Sequence, residues 1–227
     1  QGNYAGALAT SNEVIESGLF KLNASVSAVF SNKNTAESIW EIQQNEQNNA
    51  GTSNNGMATF YASLPGIGRA DVRVTASFVS GNYPAGDLRQ TEWYYIGTGA
   101  RPGNTYTSKW KSFSQNLPII RIAEMYLTRA ESNLVLGSAI GATPGQDLAQ
   151  IKNSIRTNST APANPTLDDV RKERLIELAF EGQRIHNLKR LQLSTGSFPW
   201  NDNKLVFPIP QREVDATTGV LVQNPGY

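Results

Sequence analysis

The residues with most evident chemical potential are a run of acids and bases in a helix-patterned stretch: Glu173, Arg174, Glu177, Glu181 and Arg184. Glu173, Glu177 and Glu181 are spaced i, i+4, i+8 and share one helix face, while Arg174–Glu177 and Glu181–Arg184 are i, i+3 pairs. A carboxylate pair such as Glu177 and Glu181 is the equipment of glycoside hydrolysis. A general acid needs a raised pKa, however, and an arginine within reach of each carboxylate lowers it. The plainer reading is an ion-pair lattice that fixes this helix against its neighbours. His186 has neither a second histidine nor a cysteine with which to share a metal, so it reads as a helix-surface or packing residue.

A second concentration is aromatic. Trp93-Tyr94-Tyr95, with Tyr83 and Tyr61 upstream, lies in sequence rich in Gly, Asn and Ser. Flat rings with polar rims suit stacking on sugar rings or on apolar peptide side chains. Loops held on a rigid scaffold are also where binding residues concentrate. In a strand, Trp93 and Tyr95 face one side and Tyr94 the other, so one set of rings is expected to meet ligand unless it packs on the helices. Gly97-Thr98-Gly99 lacks the lysine and the following helix that a phosphate loop requires.

Composition removes most other chemistry. The 227 residues include no cysteine and one histidine, with Lys+Arg 20 against Asp+Glu 19 and a formal net charge of +1. The missing cysteine excludes a disulfide scaffold, a thiolate zinc site and a cysteine nucleophile, and the single histidine nearly removes His-based triads and multi-His metal sites. No charge excess exists to neutralise nucleic-acid phosphates. No apolar run approaches the ~20 residues that span a bilayer. The opening Gln1-Gly2-Asn3-Tyr4 carries no targeting signal, so either a leader has been removed or the chain is a piece of a longer one.

The elements that must position these residues fall into zones. In residues 1–42, Tyr4 to Ile15 is spaced as a helix with Gly18 as its stop, and Glu37–Ile42 alternates as a short half-buried strand. Residues 43–117 are loop-rich, opening with an Asn/Gln tract at 43–56, with strands expected at Val72–Val79 and Glu92–Ile96. Residues 118–193 are helical. One helix is expected from Pro118 to Gly137, a second through Leu148, Ile151 and Ile155, and a third from about Leu167 to Leu191 with Thr166 or Asp168 as N-cap. Two helices joined by a tight Gly141–Gly145 turn suggest a helical-repeat hairpin. Residues 194–227 read as an extended, Pro-rich tail.

Several stretches, in order along nearly the whole chain, resemble the motifs of the SusD/RagB family. They are Pro118-Ile119-Ile120-Arg121-Ile122-Ala123-Glu124, Glu173-Arg174-Leu175-Ile176-Glu177-Leu178-Ala179-Phe180-Glu181-Gly182-Gln183-Arg184, and the closing Pro208-Ile209-Pro210 with Gln223-Asn224-Pro225-Gly226-Tyr227. Glu37–Ile42 and Asp87-Leu88-Arg89 after Tyr83 are similar to two further elements of that family. Ile122, Ser132 and Asn187 depart from its usual Tyr, Ala and Asp.

The resemblance implies a mostly α fold of tetratricopeptide-like helix pairs with a loop-rich, short-strand region, here the C-terminal portion of the family fold (residues 1–227). It implies a non-catalytic, cofactor-free outer-membrane lipoprotein at the cell surface. Such a protein captures oligosaccharides, or in some members peptides, for import through a SusC-like TonB-dependent transporter. The lipid anchor is then expected on a part that precedes Gln1, and the aromatic loop residues are expected to meet the glycan.

Overall fold

The computed structural model describes residues 2–53 and 56–227; of the Asn/Gln tract, Asn54 and Asn55 lie outside the described residues. The chain forms a larger compact unit, Asn3–Phe180, and a smaller one built mainly from Glu181–Tyr227. Among the described residues, no helix is long and apolar enough to cross a membrane.

In order, the larger unit contains α1 (Tyr4–Glu16), α2 (Ala28–Ser31), β1 (Ser38–Ile42), α3 (Met57–Tyr61), α4 (Ala76–Asn82) and α5 (Arg89–Glu92). It continues with β2 (Tyr94–Ile96), β3 (Thr105–Thr107), β4 (Leu117–Arg121), α6 (Ile122–Leu136), α7 (Pro144–Ile151) and α8 (Leu167–Glu177). The smaller unit holds α9 (Gln183–Arg190), a 3-10 turn (Asn203–Leu205) and α10 (Gln211–Ala216). Two antiparallel two-stranded sheets pair β1 with β4 and β2 with β3.

Helix α6 is the hub of the helical layer and packs on α1, α7 and α8. Its Leu127 and Ala130 are fully buried with Leu148 and Ile151 of α7 and Val170 of α8. Arg129 fixes the arrangement: Nη2 and Nε donate to the Asp147 carboxylate of α7 (2.6–3.2 Å), and Nη1 donates to Asn12 of α1 (2.8 Å). The hairpin turn has to be tight there. Gly141 has φ +75°, and a Cβ at that position would collide with the Asn12 and Arg129 side chains. Thr143–Gln146 and Thr166–Asp169 form reciprocal caps that start α7 and α8.

Four local expectations change. Pro118–Ile120 belong to β4, and α6 starts at Ile122. The β-branched Ile119 and Ile120 find a partner strand in β1, with Trp40 opposite Ile120 and Glu41 opposite Pro118, and proline is tolerated at such an edge. The strand expected at 72–79 is reduced to one bridge, Val74 to Thr105, before α4 turns Phe78 and Val79 onto the core. Ile155 is 75% exposed because α7 ends at Ile151. Asn153 then accepts from the Ile155 and Arg156 amides (3.1 and 2.8 Å), a turn that aims Arg156 inward.

The fourth change is the largest: the single helix expected over 167–191 ends at Glu177 and restarts at Gln183. Phe180 (φ +65°) and Gly182 (φ +79°) sit in the left-handed region between them, easy for glycine and unusual for phenylalanine. The carbonyls freed at the break are claimed by side-chain donors. Lys109 Nζ (2.9 Å) and Arg121 Nη2 (3.1 Å) donate to the Glu177 carbonyl, and Trp110 Nε1 donates to that of Phe180 (2.8 Å). In the smaller unit, the tail is stitched rather than simply extended: Gln223 exchanges two hydrogen bonds of 2.8 Å with the Ile209 backbone.

At the centre of the larger unit lies a buried charge lattice. Glu177 of α8 receives Arg156 (2.7 Å), Arg89 (2.8 Å) and Arg121 (3.2 Å). Glu37, just before β1, pairs with Arg121 and with Arg156 (3.2 Å). Arg89 is also held by Asp87 (2.8 Å) and Glu173 (2.5 Å). With Lys109, four cations face four carboxylates, every one of them buried. Burial alone would raise the Glu177 carboxyl, but the Arg156, Arg121 and Arg89 guanidiniums outweigh it and hold it well below the usual carboxylate range.

Removing one partner strands a charge in the interior, at a cost of about 3–5 kcal/mol. Arg156→Met is therefore expected to lower the urea unfolding free energy by about that amount, against less than about 0.5 kcal/mol for Arg212→Met on the surface. Equal effects of the two substitutions would contradict the lattice. The folded-state pKa of Glu177 lies below its unfolded value of about 4.3, so its contribution is present above that value and is lost as pH falls. The thermal midpoint is expected to drop steeply below about pH 4; a midpoint indifferent to acid would count against this account.

Candidate functional site

The structure corrects the stacking expectation for three of the five named rings. Trp93 is 1% exposed and caps the end of α5, with its indole N–H donating to the Val26 carbonyl (2.9 Å). Tyr83 and Tyr94 are also buried. The Tyr83 hydroxyl donates to the Ile176 carbonyl (3.0 Å), and its 2.7 Å contact with Tyr94 therefore has Tyr94 as donor. Burial pushes the Tyr83 phenol far above its ordinary pKa, so it stays neutral. Tyr83 and Tyr94 meet edge to face, Tyr94 also meets Phe180, and Phe78 bridges Tyr83 and Phe180. The aromatic run is mainly core, because each ring's polar rim finds a partner inside.

Tyr61 and Tyr95 keep part of their surface open. Tyr61 meets Phe180 edge-on (6.0 Å between centroids). The Tyr95 hydroxyl accepts from the Ser63 amide (2.8 Å), and the Lys111 ammonium lies 5.4 Å from its ring centroid. Burial raises both phenols. Trp40 carried no site expectation, yet it exposes 56% of its surface on β1, where a half-buried strand was expected.

The acidic residues divide differently from the expected single face. Glu173 and Glu177 share α8 and enter the lattice, Arg174 reaches Glu124 of α6 (2.6 Å), and Glu181 and Arg184 lie past the helix break in the smaller unit. The continuous face from Glu173 to Glu181 does not form, since α8 ends at Glu177. Glu177 is fully buried, held ionised by three arginines, and unable to protonate a glycosidic oxygen. His186 is exposed on α9. Among the described residues, no group of three His, Cys, Asp or Glu side chains is placed to hold a metal ion.

A cleft of about 310 Å³ opens where α2, the end of α5 and the loop after β3 converge. The small remaining surfaces of Phe30 and Trp93 line its inner side, and five serines (Ser27, Ser31, Ser108, Ser112, Ser114) supply hydroxyls. Lys33, Lys111 and Glu92, all exposed, complete it. Gln115 shapes the loop: its Oε1 accepts from the Lys111 and Ser112 amides (2.8 and 2.9 Å), and its Nε2 donates to the Lys109 carbonyl (2.6 Å). Ionic and hydroxyl groups converge on a rigid concave wall, an arrangement suited to holding a polar ligand. A second cleft of about 300 Å³, by Pro84, Asn158 and Thr160, has no aromatic or charged lining residue. The serine-rich loop is the element that sequence reasoning missed; the spacing of Ser108, Ser112 and Ser114 was its one visible sign.

A comparison with curated protein sequences finds no match. Among solved structures, surface glycan-binding protein A from Bacteroides thetaiotaomicron, in complex with laminarihexaose, is similar at 21% identity with a TM-score of 0.77 over 97% of this chain and 59% of that one. A SusD superfamily protein from Bacteroides vulgatus matches at 24% identity and TM-score 0.77, covering 99% of this chain and 56% of that one. Another, from Bacteroides thetaiotaomicron, matches at 25% identity and TM-score 0.77, over 99% and 57%. The chain thus spans a little over half the length of the structures it matches, and its mostly helical fold with short-strand sheets is theirs. The family model described as the SusD family matches residues 79–205, more than half of the sequence, and this segment carries Asp87, Arg89, Arg121, Glu173 and Glu177 of the lattice. The chain belongs to the SusD family.

Proposed function

We propose that this chain acts in non-catalytic capture of oligosaccharides at the bacterial cell surface, as part of a lipid-anchored outer-membrane protein that hands its ligand to a SusC-like TonB-dependent transporter. The observation that carries the reading is the likeness of almost the entire chain to a protein named as glycan-binding and seen with laminarihexaose. The burial and arginine pairing of Glu177 supports binding without turnover, since the carboxylate most suggestive of hydrolysis is committed to the interior.

On this chain the ligand contact is assigned to the Phe30/Trp93 cleft and the adjoining Tyr95, the named ring that keeps open surface next to a cleft-lining residue, Lys111. Hydroxyl, ammonium and carboxylate groups there can exchange hydrogen bonds with sugar hydroxyls, and a partly open phenol ring can pack on a pyranose. Trp93 closes the inner side of the cleft, and Tyr94 and Tyr83 belong to the same buried cluster.

Isothermal titration against a panel of hexasaccharides, with reducing ends assayed in parallel, tests the reading. Binding of at least one glycan with no new reducing ends is expected; turnover, or no binding across the panel, would overturn it. Tyr95→Ala is expected to weaken the binding by about 1 kcal/mol, roughly fivefold. Trp93→Ala is expected instead to cost about 3–5 kcal/mol of stability, seen as a lowered urea midpoint. A fully stable Trp93→Ala variant would show that the ring is not the core residue described.

A further inference from the structure

We infer that the Phe30/Trp93 cleft selects oligosaccharides bearing anionic groups, uronate carboxylates or sulfate esters, with Lys111 and Lys33 as the recognising cations. This rests on the reading of the cleft as a glycan site and names its ligand class. The charge lining the cleft is two ammoniums, Lys33 and Lys111, against one carboxylate, Glu92. Lys33 donates to the Gln44 carbonyl (2.6 Å), which fixes it while using one of its three donors. Lys111 is held at its backbone by Gln115, and its ammonium reaches the Tyr95 ring.

The two rings on the inner wall are poor partners for a neutral sugar. Lys109 Nζ lies 3.9 Å from the Trp93 centroid and 4.9 Å from that of Phe30, Arg89 lies 5.7 Å from Trp93, and Arg121 lies 5.3 Å from Phe30. Ring faces already engaged by buried cations are not open for stacking, and Phe30 and Trp93 expose only 4% and 1% of their surface. Recognition in the cleft then falls to its hydroxyls and charges. The buried cations are matched by Glu37, Asp87, Glu173 and Glu177, so the charge that a ligand meets is that of the two exposed lysines set against Glu92, a net excess of one positive charge. A low-dielectric wall concentrates such a field in the cleft.

Calorimetric titration of the protein with hexagalacturonate (carboxylate), a sulfated carrageenan hexasaccharide, and neutral laminarihexaose and maltohexaose separates the possibilities. At least one anionic ligand is expected to bind about tenfold or more tighter than either neutral one, with an affinity that falls as salt rises. Lys111→Gln is expected to remove most of that preference with an unchanged thermal midpoint, and Glu92→Gln to increase it. Which anionic arm responds distinguishes carboxylate from sulfate recognition. Equal or tighter binding of the neutral glycans, or a preference untouched by Lys111→Gln, would overturn the inference and leave glycan binding standing. Failure of all four to bind would overturn both.

Discussion

Glu177 is the constraint on which the larger unit depends. A carboxylate in the interior is tolerable only if charge of the other sign surrounds it, and the three guanidiniums that do so arrive from three separated segments: α5, β4 and the turn after α7. Glu37 ties two of those arginines to the start of β1, which follows it, and Asp87 and Glu173 orient the third. No segment can leave without stranding its neighbours' charges. The lattice also explains where α8 stops, because Lys109 and Arg121 accept the task of satisfying the Glu177 carbonyl that a continued helix would have used.

From that centre the aromatic layer follows. Lys109, Arg89 and Arg121 press on the faces of Trp93 and Phe30, and the ring edges interlock outward through Trp110. The cleft is the outer surface of this layer, walled by the loop that Gln115 pins down. A rigid interior and an exposed polar cleft are thus two sides of one arrangement, with stability and recognition carried by different residues.

Much of this was legible in the sequence, and the errors have a common origin. Caps, stops and amphipathic stretches are local, so α1, the turn after Gly137 and the Thr166 cap could be read directly. The motifs that carried the family resemblance also held the lattice residues Glu37, Arg89, Arg121 and Glu173, but nothing in their spacing said that they meet. Arg121 and Glu37 are far apart along the chain, and periodicity carries no information on such pairs. The same blindness made Pro118–Ile120 look helical while β1 was waiting as a partner. It also made Trp93 and Tyr94 look like ligand residues, since a run of rings in Gly/Asn/Ser-rich sequence looks alike whether it lines a groove or fills a core. Gly182 was the one local sign that the acidic helix would break, and the regular i, i+4, i+8 spacing of glutamates concealed it.

The division of labour between buried rings and exposed cleft is the central claim, and mapping a bound glycan residue by residue tests it most directly. An NMR titration of the protein with a binding oligosaccharide should shift the resonances of Lys33, Glu92, Tyr95 and the 108–115 loop, and leave the Trp93 indole N–H hydrogen-bonded to Val26 and slow to exchange. Exposure of that indole on binding, or shifts centred away from the cleft, would contradict the account.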